Sequence, residues 1–215
     1  MRAAARARAV VYNRVVQRFS VTTSEPLRGD IDLAERLART PSDYVMKGMF
    51  FKSVVPQLGP AWERERETLV SPPRLGRYIP FADYPQRDYS QLVGALLRVR
   101  YPRMEMREAS RQYARREFEV FGTSAVGHII SSLVGDPMAA MLRFPDMIRT
   151  VMKGGEVFAR EEAGAAVLQF ERFHGWLDSH FIGVVEGIVQ QFGASPRIEV
   201  ELASPNEGTY RVRWR

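Results

Sequence analysis

Apolar residues recur at three- and four-residue steps near the end of the chain, at Leu177, Phe181, Val184, Ile188 and Phe192. That spacing predicts a helix over 176–192 with one apolar stripe, closed by Gly193. Residues 197–202 and 209–214 instead alternate apolar with charged positions. Each predicts a strand with one buried face, and Ser204-Pro-Asn-Glu-Gly208 predicts the turn between them. Residues 157–162 and 165–172 flank Ala163-Gly164 and predict another hairpin. Upstream the period is helical. Helices are expected over 30–38 (capped by Asp30), 40–55, 60–69, 88–100, 104–121, 123–134 and 137–152. In 104–121 the inward positions are Tyr113, Ala114, Phe118 and Phe121. Helices first, then strand–strand–helix–strand–strand, argue an α+β fold. Its N-terminal helical half precedes a four-stranded antiparallel sheet built hairpin–helix–hairpin.

Gly183 and Gly187 sit one turn apart beside the apolar stripe. Each costs about 1 kcal/mol of helix stability against alanine. The pair predicts a close approach to the helix backbone, by the sheet, a ligand or a second subunit. Residues 71–85 hold four prolines together with Tyr78, Phe81 and Tyr84. A loop this apolar is expected to pack on the core, and these three aromatics are candidate ligand or interface residues.

Composition narrows the class of partner. At 215 residues the chain suits one domain with an appendage. The net charge is +6, but Arg2, Arg6, Arg8, Arg14 and Arg18 stand in an N-terminal stretch without acids, so the body is nearly neutral. A neutral body argues against nucleic acid as a partner. Residues 1–27 are expected to form a basic extension, flexible or peripherally docked, able to touch an anionic membrane surface. Residues 28–215 are expected to form a single domain. Deleting residues 1–24 is then expected to leave the fold intact. No apolar run is long enough to span a bilayer. There are no cysteines, which excludes disulfides and thiolate chemistry and fits a cytoplasmic setting.

Candidate chemistry is sparse. Arg103, Arg107, Arg111 and Arg115 step by four and form a candidate row for an anion or a partner, surrounded by Glu105, Glu108, Glu117 and Glu119. His174 and Asp178 share a face of the expected helix, while His180 falls about 240° further round, so no metal site is predicted. No phosphate loop, nucleophile elbow or zinc-protease motif occurs. An enzyme reading would rest on the 78–89 loop with Asp83 and Asp88.

Several segments resemble an uncharacterised paralogous family known mainly from myxobacteria. They are Met46-Lys-Gly-Met-Phe-Phe51, Tyr78-Ile-Pro-Phe-Ala-Asp-Tyr-Pro85, Tyr101-Pro102, Phe121-Gly-Thr-Ser-Ala-Val-Gly127, Phe181-Ile-Gly-Val-Val-Glu-Gly187 and Tyr210-Arg-Val-Arg-Trp214. The element order and the 181–187 segment also resemble the haem–nitric-oxide-binding fold. That fold class takes in the four-vinyl-reductase domains and small vesicle-tethering subunits. The resemblance implies binding of haem or a small apolar molecule, or dimerisation. Under it His128 would be the haem ligand and Arg160 the propionate contact, but the Tyr and Ser of the family's Tyr-x-Ser-x-Arg motif are missing from Glu156-Val-Phe-Ala-Arg160. The reading is therefore a non-enzymatic module without cofactor or metal. It would bind a protein partner, including a second copy, or a small apolar ligand.

Overall fold

The computed structural model describes residues 16–73, 76–122 and 135–215, with side chains of 118–122 left aside. Its strands are β1 (Gln17–Thr22), β2 (Val45–Lys47), β3 (Asp83–Pro85), β4 (Met152–Lys153), β5 (Glu156–Glu162), β6 (Ala165–Glu171), β7 (Pro196–Ser204) and β8 (Glu207–Trp214). Its helices are α1 (Leu33–Arg39), α2 (Gly48–Leu58), α3 (Ala61–Arg66), α4 (Gln86–Arg100), α5 (Met106–Gly122), α6 (Pro137–Val151) and α7 (His180–Gln190).

The α+β class is as expected, and from β5 onward the chain runs β5–β6–α7–β7–β8. The expected order of helices first and then a four-stranded sheet is not met, since β1 precedes the helices and β2 and β3 lie among them. The sheet has five strands, ordered β1-β7-β8-β6-β5, because residues of the N-terminal extension join it. Phe19 pairs with Val200 and Val21 with Ile198, antiparallel along the outer edge of β7. Val21 is 2% exposed and belongs to the core. The expectation that 1–27 lies outside the domain therefore fails for β1. Its short, mixed sequence Gln-Arg-Phe-Ser-Val-Thr carries alternation too brief to separate a strand from a tail. A second sheet, β3-β2-β4, also escaped the sequence reading. Its strands are two or three residues long, and the first was absorbed into an expected helix over 40–55.

Among the described residues the buried apolar side chains form two cores. One joins the large sheet (Ile198, Val200, Tyr210, Val212) to α6 and α7. The other gathers α2, α4 and α5 around Phe51, Leu92, Leu96 and Tyr113. Helix α7 lies between the sheet and α5, so it is buried on nearly every side, not along one stripe. This explains Gly183. A Cβ there would overlap the backbone carbonyl of Arg111, standing 2.9 Å from its carbon. Gly187 is buried one turn on in the same helix. The close approach predicted for this pair is thus helix α5, rather than the sheet, at Gly183. Met152, at the end of α6, packs against both cores, and the space between them holds the candidate site.

Candidate functional site

A partly open cavity of about 100 Å³ lies where the two cores meet. Its wall is mostly apolar, with Met46 from β2, Phe50 from α2, Phe144, Met147 and Ile148 from α6, and Phe181 and Val184 from α7. Local sequence shapes one side. Between β6 and α7 the chain turns through Arg172 and Trp176, both at positive φ (52° and 58°). A bulky residue seldom adopts that conformation, and such strain persists only where the surroundings fix it. Here the Gln86 amide donates to the His174 carbonyl (2.9 Å), Arg36 sits 5.9 Å above the Trp176 ring, and Gly175 leaves room for the rings of Phe173 and Phe181. His174, Gly175 and Trp176 thereby line the cavity.

The polar part of the wall is concentrated. Glu117 of α5 meets the Tyr89 hydroxyl at 2.7 and 2.8 Å and the Tyr113 hydroxyl at 3.2 Å. The Ser53 hydroxyl stands 3.2 Å from the same carboxyl, and 2.7 Å from the Phe50 carbonyl, which can only accept its proton. His180 Nε2 lies 3.8 Å from Glu117. Burial raises the Glu117 carboxyl to about 7, against the three hydroxyls that favour its ionised form. Burial lowers the His180 imidazole to about 4. Between those values the pair is held neutral, a carboxylic acid beside an uncharged imidazole. Two buried atoms on cavity-lining residues, Gln86 Oε1 and His180 Nδ1, have no hydrogen-bond partner among the described residues.

His174 and His180 thus line one cavity, contrary to the expected helical geometry. The helix begins only at His180, so the 240° offset between the two does not apply. Asp178 leaves this group and binds Arg36 and Arg107 (2.6 Å each). Burial opposes its charge, yet the two guanidiniums hold its carboxyl below the usual range. No three His, Asp or Glu side chains gather as metal ligands among the described residues.

The other candidates lie elsewhere. Arg103 is exposed. The rest of its row points inward and is spent within the chain. Arg111 is buried, binds Glu186 and Glu108, and donates to the carbonyls of Glu25 and Thr22 (2.6 Å each), while Arg115 binds Glu186 (2.6 Å). The row ties α5 to α7 and to the end of β1, which leaves Arg107, Arg111 and Arg115 no role as an anion grip. Tyr78 is buried and stacks on Phe51, with ring centroids 4.4 Å apart, and Tyr84 packs edge-on to Tyr78. Phe81 is 70% exposed. None of the three lines the cavity. Asp83 binds Lys47 (2.6 Å) and Lys153, whereas the fully buried Asp88 accepts from the Val70 and Ser71 amides (2.9 and 2.8 Å). These two carboxylates do not line the cavity either, so the 78–89 loop does not build the acid–base site that an enzyme reading required.

Glu117, Tyr89, Gln86 and Trp176 were missed as site residues. Glu117 carried a signal: it lies four residues after Tyr113 and three after Ala114, on the inward stripe of its helix. Its place among the acids around the arginine row hid that position.

The fold is similar to that of haem–nitric-oxide-binding (H-NOX) proteins. An H-NOX protein from S. oneidensis in the Fe(II)NO state superposes with a TM-score of 0.63 at 13% identity, over 79% of this chain and 99% of that one. The unliganded Fe(II) H-NOX protein from K. algicida gives 0.59 at 15% identity, over 79% and 97%. An oxygen-binding H-NOX domain related to soluble guanylate cyclases gives 0.56 at 13%, over 79% and 95%. At such identities the likeness concerns the fold alone.

The described residues do not fit a haem. Arg160 stands on β5 with its side chain paired to Glu162 (3.2 Å) at the exposed edge of the sheet, and it does not line the cavity. Phe158 and Glu156, two and four residues before it, are exposed and offer no hydroxyl. A cavity of about 100 Å³ is small for a macrocycle, given that pockets for drug-sized ligands run to about 300–1,000 Å³. His128 lies outside the described residues.

Comparison with curated protein sequences gave no match. The family described as "Protein of unknown function (DUF2378)" matches residues 39–215, from the end of α1 to the last residue. That span takes in the cavity, its buried polar cluster and every strand but β1, and the chain belongs to this family.

Proposed function

We propose that this protein is a non-enzymatic, cytoplasmic binding module for a small, mainly apolar molecule, held in the cavity between its two cores. The observation that supports this reading is the cavity itself. Native interiors are close-packed, and voids larger than a water molecule are few. A space of about 100 Å³ with a predominantly apolar wall and convergent polar groups at one place has the make-up of a ligand site. An apolar cavity of about 150 Å³ suffices for benzene. The H-NOX-like fold agrees with a ligand-sensing role, although nothing in this wall resembles a haem site. The absence of converging catalytic carboxylates at the 78–89 loop favours binding over turnover.

The test is a titration with toluene, followed by the fluorescence of Trp176 and by thermal shift. Saturable binding is expected for the native chain. Val184→Phe, which puts a larger ring in the cavity wall, is expected to weaken it at least about tenfold, equivalent to about 1.4 kcal/mol. Equal binding by the two proteins would place toluene elsewhere and remove the cavity as the site.

A further inference from the structure

We propose that the ligand of this cavity is an amine, a small molecule with an apolar body and one protonated nitrogen that takes Glu117 as its counter-ion. This deepens, and rests on, the ligand-binding reading above. The other buried acids all have cationic or backbone partners. Glu186 has Arg111 and Arg115, Glu108 has Arg111, and Asp178 has Arg36 and Arg107. Asp88 has two backbone amides. Glu117 has only hydroxyls and an imidazole, and no lysine or arginine partner among the described residues.

The neighbouring polar groups match the same chemistry. Gln86 Oε1 and His180 Nδ1 are buried without partners, and with Glu117 they give the cavity three side chains able to accept hydrogen bonds. An ammonium group offers three donors and no acceptor. The wall also holds the aromatic rings of Tyr89, Phe144, Trp176 and Phe181, and the π-face of such a ring favours a cation over an anion. A carboxylate ligand would meet Glu117 as a like charge and would leave the two acceptors unpaired. A neutral hydrocarbon would fill the space but satisfy none of the three.

The groups facing Glu117 are Ser53 from α2, Tyr89 from α4, Tyr113 from α5 and His180 from α7. The tyrosines keep their protons at all relevant pH, since burial raises both well above their usual value. His180 is uncharged above about 4. The lining His174 imidazole is also held below its ordinary value by burial, so the change in amine binding near neutrality belongs to Glu117, whose carboxyl titrates at about 7. A primary amine stays protonated throughout that range, with a pKa near 10.

Calorimetric titration with benzylamine, toluene and benzoate at about pH 6 and about pH 8 tests the proposal. Benzylamine is expected to bind at least about tenfold more tightly than toluene at the higher pH, and benzoate not at all. Below the Glu117 titration its affinity is expected to fall by up to about tenfold per pH unit, while that of toluene stays level. Glu117→Gln is expected to bring the amine-to-toluene ratio near unity at both values. Should that variant fail to fold, the pH profile of the native chain decides alone. Toluene binding with no preference for the amine at either pH would overturn the amine proposal and leave the binding module standing. Failure of all three probes to bind would overturn both.

Discussion

Glu117 and His180 show how one buried contact gives two opposite pH responses. Burial disfavours charge on both, but the charged form of one is the base and of the other the acid. Glu117, raised from 4.5 to about 7, contributes stability that is present below 4.5 and lost as pH rises toward 7. His180, lowered from 6.5 to about 4, contributes stability that is present above 6.5 and lost as pH falls toward 4. Over the shared window the two slopes oppose each other, and the native chain is expected to change little on their account. Single variants expose each slope. Glu117→Gln is expected to gain stability as pH rises from about 4 to 6.5, and His180→Gln to lose it as pH rises from about 4.5 to 7. Each change is bounded by about 1.4 kcal/mol per unit of pKa shift. Urea unfolding at stepped pH measures both. Parallel slopes in the two variants would mean that the pair is not held neutral as described.

At the scale of elements, β1 is the piece whose role changes most between sequence and structure. It has a buried valine, a full antiparallel register with β7, and its last carbonyl bound to Arg111. Burying Val21 alone is worth about 1.5–3 kcal/mol. Removal of residues 1–22 is expected to cost at least about 2 kcal/mol, and for a chain of this size to lower the melting temperature by about 4–8 °C. An unchanged melting temperature would restore the sequence-based boundary. The hairpins and α7 were legible because their apolar period runs over seven or more residues. Strands of two or three residues have no period to read, and β1 is only six residues long. The direction of the arginine row was equally illegible. A row at four-residue steps looks the same whether it meets water or, as here, the carboxylate of Glu186 on another helix.

Across the whole molecule, the fold class could be read from element order, whereas the site could not. Its walls come from both cores, and the titratable pair in its wall, Glu117 and His180, stands 63 positions apart with no shared motif. Long-range packing brings them together through α7 resting on α5, an approach that Gly183 permits. Trp176 shows the same limit, because its left-handed backbone follows from neighbours on α1 and α4, not from its own segment. If the inter-core space is a binding cavity, it takes up xenon, a probe without charge or hydrogen bonds. Diffraction from crystals held under xenon pressure is expected to show a xenon atom in contact with Phe144, Phe181 and Val184. Density that places side chains across that space, with no xenon bound there, would mean that the two cores enclose no binding cavity.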